Sequence, residues 1–318
     1  MDSDGFVAWD AMCHATFSFE TAACEDEPVV FDVHLVDGTY ELFRYHYAPN
    51  NRDADFGATR GVVGTCLQLL EGGATHVGVA TDHVIESFRN DLWPTYKDGS
   101  GVDPALKAQF PLVEAALSAA GFTVWPLVEV EADDGLAAAA RMAGDDERVD
   151  RVIICTPDKD LGQCVGGKVV QWDRRQDKWY DADGIRVKFG VPPESIPDYL
   201  ALVGDTADGY PGLPGWGAKA AAAVLAEYGH LENIPAQTDD WAVNVRGGGT
   251  LAATLRDRFA DALLFRRIAT AEFDAPVSES VDELEWTGPT DRFGATAQRI
   301  GGPQLLARAR KIAADRSS

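Results

Sequence analysis

Four short apolar runs rich in β-branched residues occupy the first half of the chain, and each leads into carboxylates. Residues 29–36 run into Asp37 and residues 76–81 into Asp82. Residues 121–126 precede Glu131-Ala132-Asp133-Asp134, and residues 151–156 precede Asp158-Lys159-Asp160. Near-continuous apolar runs of this length describe strands buried on both faces, as in a parallel sheet covered by helices. Alanine- and leucine-rich helical stretches at 61–70, 104–120 and 132–143 separate them. The alternation predicts an α/β chain with a doubly wound, mostly parallel sheet. Ligands bind at the carboxyl ends of such strands, so the pattern predicts one acidic edge.

A further pair, Asp205 and Asp208, brings the set to nine carboxylates. Glu131 and Asp134, like Asp205 and Asp208, are spaced i, i+3 and share a side of one helical turn. Asp158 and Asp160 are spaced i, i+2 and point the same way in an extended segment. Converging carboxylates repel one another unless a counter-ion is present. Hard divalent cations such as Mg²⁺, with Mn²⁺ as a substitute, take oxygen ligands and fit this set.

The net charge of −23 argues on its face against nucleic acid as a partner. Its distribution weakens that objection. Residues 1–28 hold Asp2, Asp4, Asp10, Glu20, Glu25, Asp26 and Glu27 with no Lys or Arg, and read as a flexible acidic extension. Acids that hold cations, with bases grouped elsewhere, remain compatible with DNA. Five cysteines without a C-x-x-C spacing point to a reducing cytoplasm rather than a disulfide or zinc framework. No run approaches the roughly 20 apolar residues of a membrane span, and no basic-then-apolar leader opens the chain.

Beyond residue 191 the strand pattern stops, and residues 195–203, 218–228, 250–269 and 304–314 read as helices. Between the first two lies Gly209-Tyr210-Pro211-Gly212-Leu213-Pro214-Gly215-Trp216-Gly217-Ala218-Lys219. Its glycines permit tight turns and close approach to a ligand. The free N–H groups of the following helix start, with Lys219 in its first turn, suit a phosphate. The pattern reads as a helix-hairpin-helix that grips a DNA backbone through Gly212, Gly215, Gly217 and Lys219 without reading sequence.

These elements together resemble the 5′-3′ exonuclease/flap endonuclease family, in particular the 5′-nuclease domain of bacterial DNA polymerase I and its stand-alone relatives. The resemblance rests on Val36-Asp37-Gly38, Ala80-Thr81-Asp82, Phe88-Arg89 with Tyr96-Lys97, the 131–134 and 156–161 segments, and Gly204-Asp205-Thr206-Ala207-Asp208 leading into the hairpin. It implies a PIN-like catalytic domain over 29–190 and a helical DNA-binding region over 191–318. It implies two metals, one near Asp37, Asp82, Glu131 and Asp133, the other near Asp158, Asp160 and Asp208. Asp134 and Asp205 would stand beside them. Arg89 and Lys97 would meet the scissile phosphate at the base of a helical arch, and the hairpin carbonyls would hold a K⁺ ion. DNA with 5′ ends or flaps is the implied partner of a monomer working with replication and repair proteins. The chain departs from its polymerase-linked relatives at Asp98-Gly99-Ser100, where they carry a base. Two other readings are a PIN-type ribonuclease, which needs neither the hairpin nor Asp205 and Asp208, and a silent DNA-binding factor, which need not keep all nine carboxylates.

Overall fold

Strand β1 (Phe31–Asp37) is where the chain reverses direction across its sheet. The structure, a computed structural model, describes residues 30–49 and 55–316; the acidic extension lies outside them. From β1 the chain winds outward through β2 (His76–Asp82) and β3 (Thr123–Leu127). It then returns to the other side of β1 as β4 (Val149–Cys155), β5 (Val169–Asp173) and β6 (Lys178–Tyr180), giving the order β3-β2-β1-β4-β5-β6. The first five strands are parallel and β6 is antiparallel. The switch between β1 and β4 opens a crevice at the carboxyl edge, and Asp37 stands there.

Alternation along β1 sends Val33 and Leu35 to one face and Val36 to the other. Helices α1 (Gly38–His46) and α2 (Gly57–Glu71) lie on the Val36 face. The crossing from β2 contains two short helices, α3 (Phe88–Leu92) and α4 (Pro104–Lys107), before α5 (Phe110–Ala119) joins that face. Helix α6 (Ala132–Gly144) covers the opposite face with a stripe of alanines and Leu136. The helix expected over 104–120 is thus two, because Pro111 lacks a donor N–H and fits only a first helical turn. Strands β5 and β6 lie outside the four apolar runs of the sequence. Their exposed edge and polar turn give no long apolar run.

Helix α7 (Ala182–Phe189) leads to α8 (Ile196–Val203), the hairpin and α9 (Ala218–Tyr228). The single helix expected over 250–269 is divided at Arg258 into α10 (Gly248–Asp257) and α11 (Phe259–Ala269). These helices share a second core around Leu200, Tyr210, Leu225 and Phe265. Residues after 281 do not extend it. Trp286, Phe293 of α12 (Phe293–Arg299) and Ile312 of α13 (Pro303–Arg316) pack into the first core against α2 and α5. The C-terminal segment therefore belongs to the sheet's core, correcting its placement in the second region.

Fully buried Phe293 anchors that return. Phe293→Ala is expected to lower unfolding free energy by about 3–5 kcal/mol, read by urea titration. A loss below about 0.5 kcal/mol, the level of surface substitutions, would contradict this packing.

Candidate metal and nucleic-acid site

Asp37 ends β1 and caps α1, accepting from the Tyr40 N–H at 2.8 Å and the Thr156 hydroxyl at 2.9 Å. Asp82 ends β2 and accepts from the Ala132 N–H at 2.7 Å, which ties it to the start of α6. Glu131 and Asp133 flank that same helix start. Asp37, Asp82, Glu131, Asp133 and Asp158 line a cavity of about 190 Å³ together with Tyr40, Phe43 and Lys97. Beside it, carboxylate oxygens of Asp160, Asp205 and Asp208 all lie within 4.8 Å of one another. One buried Asp160 oxygen has no hydrogen-bond partner.

Burial and mutual repulsion dominate the electrostatics. Burial, together with the charges of Asp82 and Asp158, lifts Asp37 to about 7 against the Tyr40 and Thr156 hydrogen bonds. Burial and Glu131 lift Asp82 to about 6 against Lys97. Asp133 is raised by burial and by Asp158, Asp37 and Asp160; Asp160 is raised by burial, Asp158 and Asp208. Asp208 is raised as well, by burial first. These couplings join the two groups into one field. An all-oxygen donor set, an unsatisfied buried oxygen and repulsion that a cation would relieve fit hard divalent ions.

Two expected site residues, Arg89 and Asp134, pair with each other in a buried contact beside Glu131. Arg89 is 4% exposed. Its donors go to both Asp134 oxygens at 2.7 Å, to Glu131 at 3.3 Å and to the carbonyls of Ile268 and Thr270. It is a buried strut between α3, α6 and the end of α11 and offers no group to a phosphate in the cleft. Fully buried Asp134 accepts in addition from the N–H groups of Glu131 and Glu272, so its lone pairs are committed to the Arg89 clamp and to the backbone. The i, i+3 spacing with Glu131 hid this, because Asp134 turns toward the second core.

Lys97 does reach the site, at 2.8 Å from Glu131 and 3.1 Å from Asp208. Lys159, not singled out in the sequence, pairs with Asp205; its position between two site aspartates was the available signal. The hairpin joins α8 to α9 as expected. A Cβ on Gly212, at φ +65, would meet backbone atoms of Gly204 and Leu202 at 2.3 and 2.6 Å, so only glycine closes this turn. Helix α9 opens at Gly217 with no side-chain cap, and Lys219 is exposed beside it. The arginines along α10 and α11, with Arg258 between them, are engaged: Arg256 with Asp257, Arg258 with Asp261, Arg266 with Asp198 and Glu232, and Arg267 with Glu272.

Strut and site respond oppositely to mutation. Without divalent ions, Asp133→Asn removes a repelled charge and is expected to raise the melting temperature. Asp134→Ala leaves Arg89 buried and under-paired and is expected to destabilise by about 3 kcal/mol. Equal effects of the two substitutions would contradict the division.

The pH dependence has a definite sign. Asp37 and Asp82 titrate higher folded than unfolded, so the folded chain binds more protons between about pH 4 and pH 7. Stability of the EDTA-treated protein is therefore expected to fall as pH rises through that window. Mg²⁺ should restore it more at about pH 8 than at about pH 5. A flat calorimetric profile in EDTA would contradict the buried acidic cluster.

Residues 32–190 match the 5′-3′ exonuclease N-terminal resolvase-like domain, and residues 191–292 match the 5′-3′ exonuclease C-terminal SAM fold. DNA polymerase I of Pseudomonas aeruginosa is 33% identical over 79% of this chain, which spans 28% of that relative's length. A 5′-3′ exonuclease of Aquifex aeolicus is 32% identical over 64% of this chain and 71% of its own. Among solved structures, zinc-bound T5 5′-exonuclease superposes with a TM-score of 0.61 at 20% identity, covering 88% of this chain and 98% of the phage protein. The catalytic core of Rad2 in complex with DNA substrate gives 0.60 at 17% identity, covering 89% and 93%. The chain belongs to the 5′-3′ exonuclease family.

Proposed function

We propose that this chain hydrolyses DNA phosphodiester bonds at 5′ ends and 5′ flaps, with Mg²⁺ as the working ion and Mn²⁺ as a substitute. The observation that carries the proposal is the joining of two acidic groups at one sheet edge beside the hairpin. Asp37, Asp82 and Asp133, with Glu131, would hold one ion; Asp158, Asp160, Asp205 and Asp208 would hold the other. Bound divalent cations supply positive charge to the phosphate and acidify water. In the hydrolysis the water oxygen bonds to phosphorus as the bond to the 3′-oxygen breaks, so the products carry a 5′-phosphate and a 3′-hydroxyl. Lys97 offsets charge gathering on the phosphate oxygens.

The hairpin from Gly209 to Lys219 holds the duplex by its backbone, with K⁺ as the ion suited to its carbonyls. Contacts of this kind position without reading sequence. The division of labour is catalytic for the sheet and DNA-holding for α8 to α11. Relatives built into DNA polymerase I support a place in replication and repair. Among the described residues no helix is long and apolar enough to cross a membrane.

A duplex with a 5′-labelled flap tests the proposal. Mg²⁺ should release labelled product and EDTA should abolish it. Asp158→Ala should slow cleavage about 10³-fold, roughly 4 kcal/mol of barrier, while DNA affinity changes little. Binding without cleavage in Mg²⁺ or Mn²⁺ would favour the silent DNA-binding factor. Lys219→Ala should weaken binding to every duplex alike and reduce the salt slope by about 1. Unchanged affinity and slope would remove Lys219 from the interface.

A further inference from the structure

Glu131 is 3% exposed, and its carboxylate is saturated from one segment of chain. One oxygen accepts from the Ser87 hydroxyl at 2.6 Å and from Arg89 at 3.3 Å. The other accepts from the Tyr96 hydroxyl at 3.1 Å and meets the Lys97 ammonium at 2.8 Å. A carboxylate offers about four lone-pair sites, and residues 87–97 fill them.

The far end of this segment is tied to the second acidic group. The Lys97 N–H donates to the Asp208 carbonyl at 2.9 Å, and its ammonium lies 3.1 Å from the Asp208 carboxylate. The Trp93 indole and the Thr95 hydroxyl both donate to the Gly209 carbonyl, at 3.1 and 2.9 Å. A Cβ on Gly209 would lie 2.0 Å from the Thr95 carbonyl oxygen, so glycine there permits the approach. Residues 93–97 thus form a strap across both carboxylate groups, with one ammonium serving as their internal counter-ion.

We propose that Glu131 exchanges partners: a divalent cation arriving beside Asp37, Asp82 and Asp133 takes its carboxylate from Tyr96 and Lys97 and loosens the strap. This rests on the metal-centre reading given under the proposed function. A cation can join a saturated carboxylate only by displacing a donor. The Lys97 ammonium is repelled by the incoming charge, and the neutral Ser87 and Tyr96 hydroxyls compete weakly with it. Arg89 stays, because Asp134 and two carbonyls hold it independently. The clasp formed by the Tyr96 hydroxyl and the Lys97 ammonium therefore loosens, while the segment stays tethered at α3 and by the bonds of Trp93, Thr95 and the Lys97 N–H to residues 208 and 209. Cation loading becomes the event that frees Lys97 for a phosphate.

The test is amide hydrogen exchange of the full chain with and without Mg²⁺, beside calorimetric Mg²⁺ titrations of the parent and Tyr96→Phe. Saturating Mg²⁺ should speed exchange of residues 93–98 several-fold while the amides of β1 and α6 do not accelerate. Tyr96→Phe removes one competing donor at nearly constant volume, so Mg²⁺ should bind it roughly 3- to 10-fold more tightly. Its strap should also exchange faster without metal. Mg²⁺ binding with strap exchange unchanged or slowed would overturn the proposal, as would equal or weaker binding by Tyr96→Phe. Absence of any Mg²⁺ heat at millimolar concentration would instead remove the metal centre, and this inference with it.

Discussion

Repulsion among buried carboxylates is the constraint around which this molecule is arranged. Asp37, Asp82, Asp133, Asp160 and Asp208 all hold their protons more tightly than a free aspartate, each with burial as the first cause and each facing another acid. Such a set is unfavourable in isolation. The chain offsets it locally, with α1 and α6 beginning at Asp37 and Glu131 so that their positive ends face the acids. Lys97 and Lys159 supply two ammonium groups. What these groups leave uncompensated is the part that suits divalent ions.

The same constraint accounts for the second core. Asp205 and Asp208 reach the sheet edge because α8 packs on the short turn at 160–164 that follows β4. Arg89 links the base of the strap to α11. The acidic sheet edge and the helical region are therefore fastened by buried polar contacts as well as by apolar packing. Breaking one of those contacts should disturb both.

The sheet was largely legible in the sequence because strands buried on both faces leave unbroken apolar runs, and because an acid after a strand has few structural uses. The edge pair β5 and β6 was not legible, since Trp172, Trp179 and a polar turn carry no such run. The helix breaks between Lys107 and Phe110 and at Arg258 are not legible because alanine- and leucine-rich sequence continues through them. The site residues were identified by type and spacing, which cannot tell a ligand from its support. Asp133 and Asp134 are adjacent and chemically identical. A one-residue rotation on α6 sends the first into the acidic field and the second into a buried ion pair with Arg89. That distinction lies with Arg89 of α3, 45 residues away, and spacing around Glu131 does not carry it. The return of Phe293 and Ile312 to the first core is tertiary in the same sense.

The most direct test of the central claim is the location of divalent ions on the full chain by anomalous diffraction from crystals soaked in Mn²⁺. Two peaks are expected, one bounded by Asp37, Asp82 and Asp133, the other by Asp160, Asp205 and Asp208, with Asp134 still clamped on Arg89. Peaks elsewhere, or none at either group, would contradict a divalent-metal centre at this edge of the sheet.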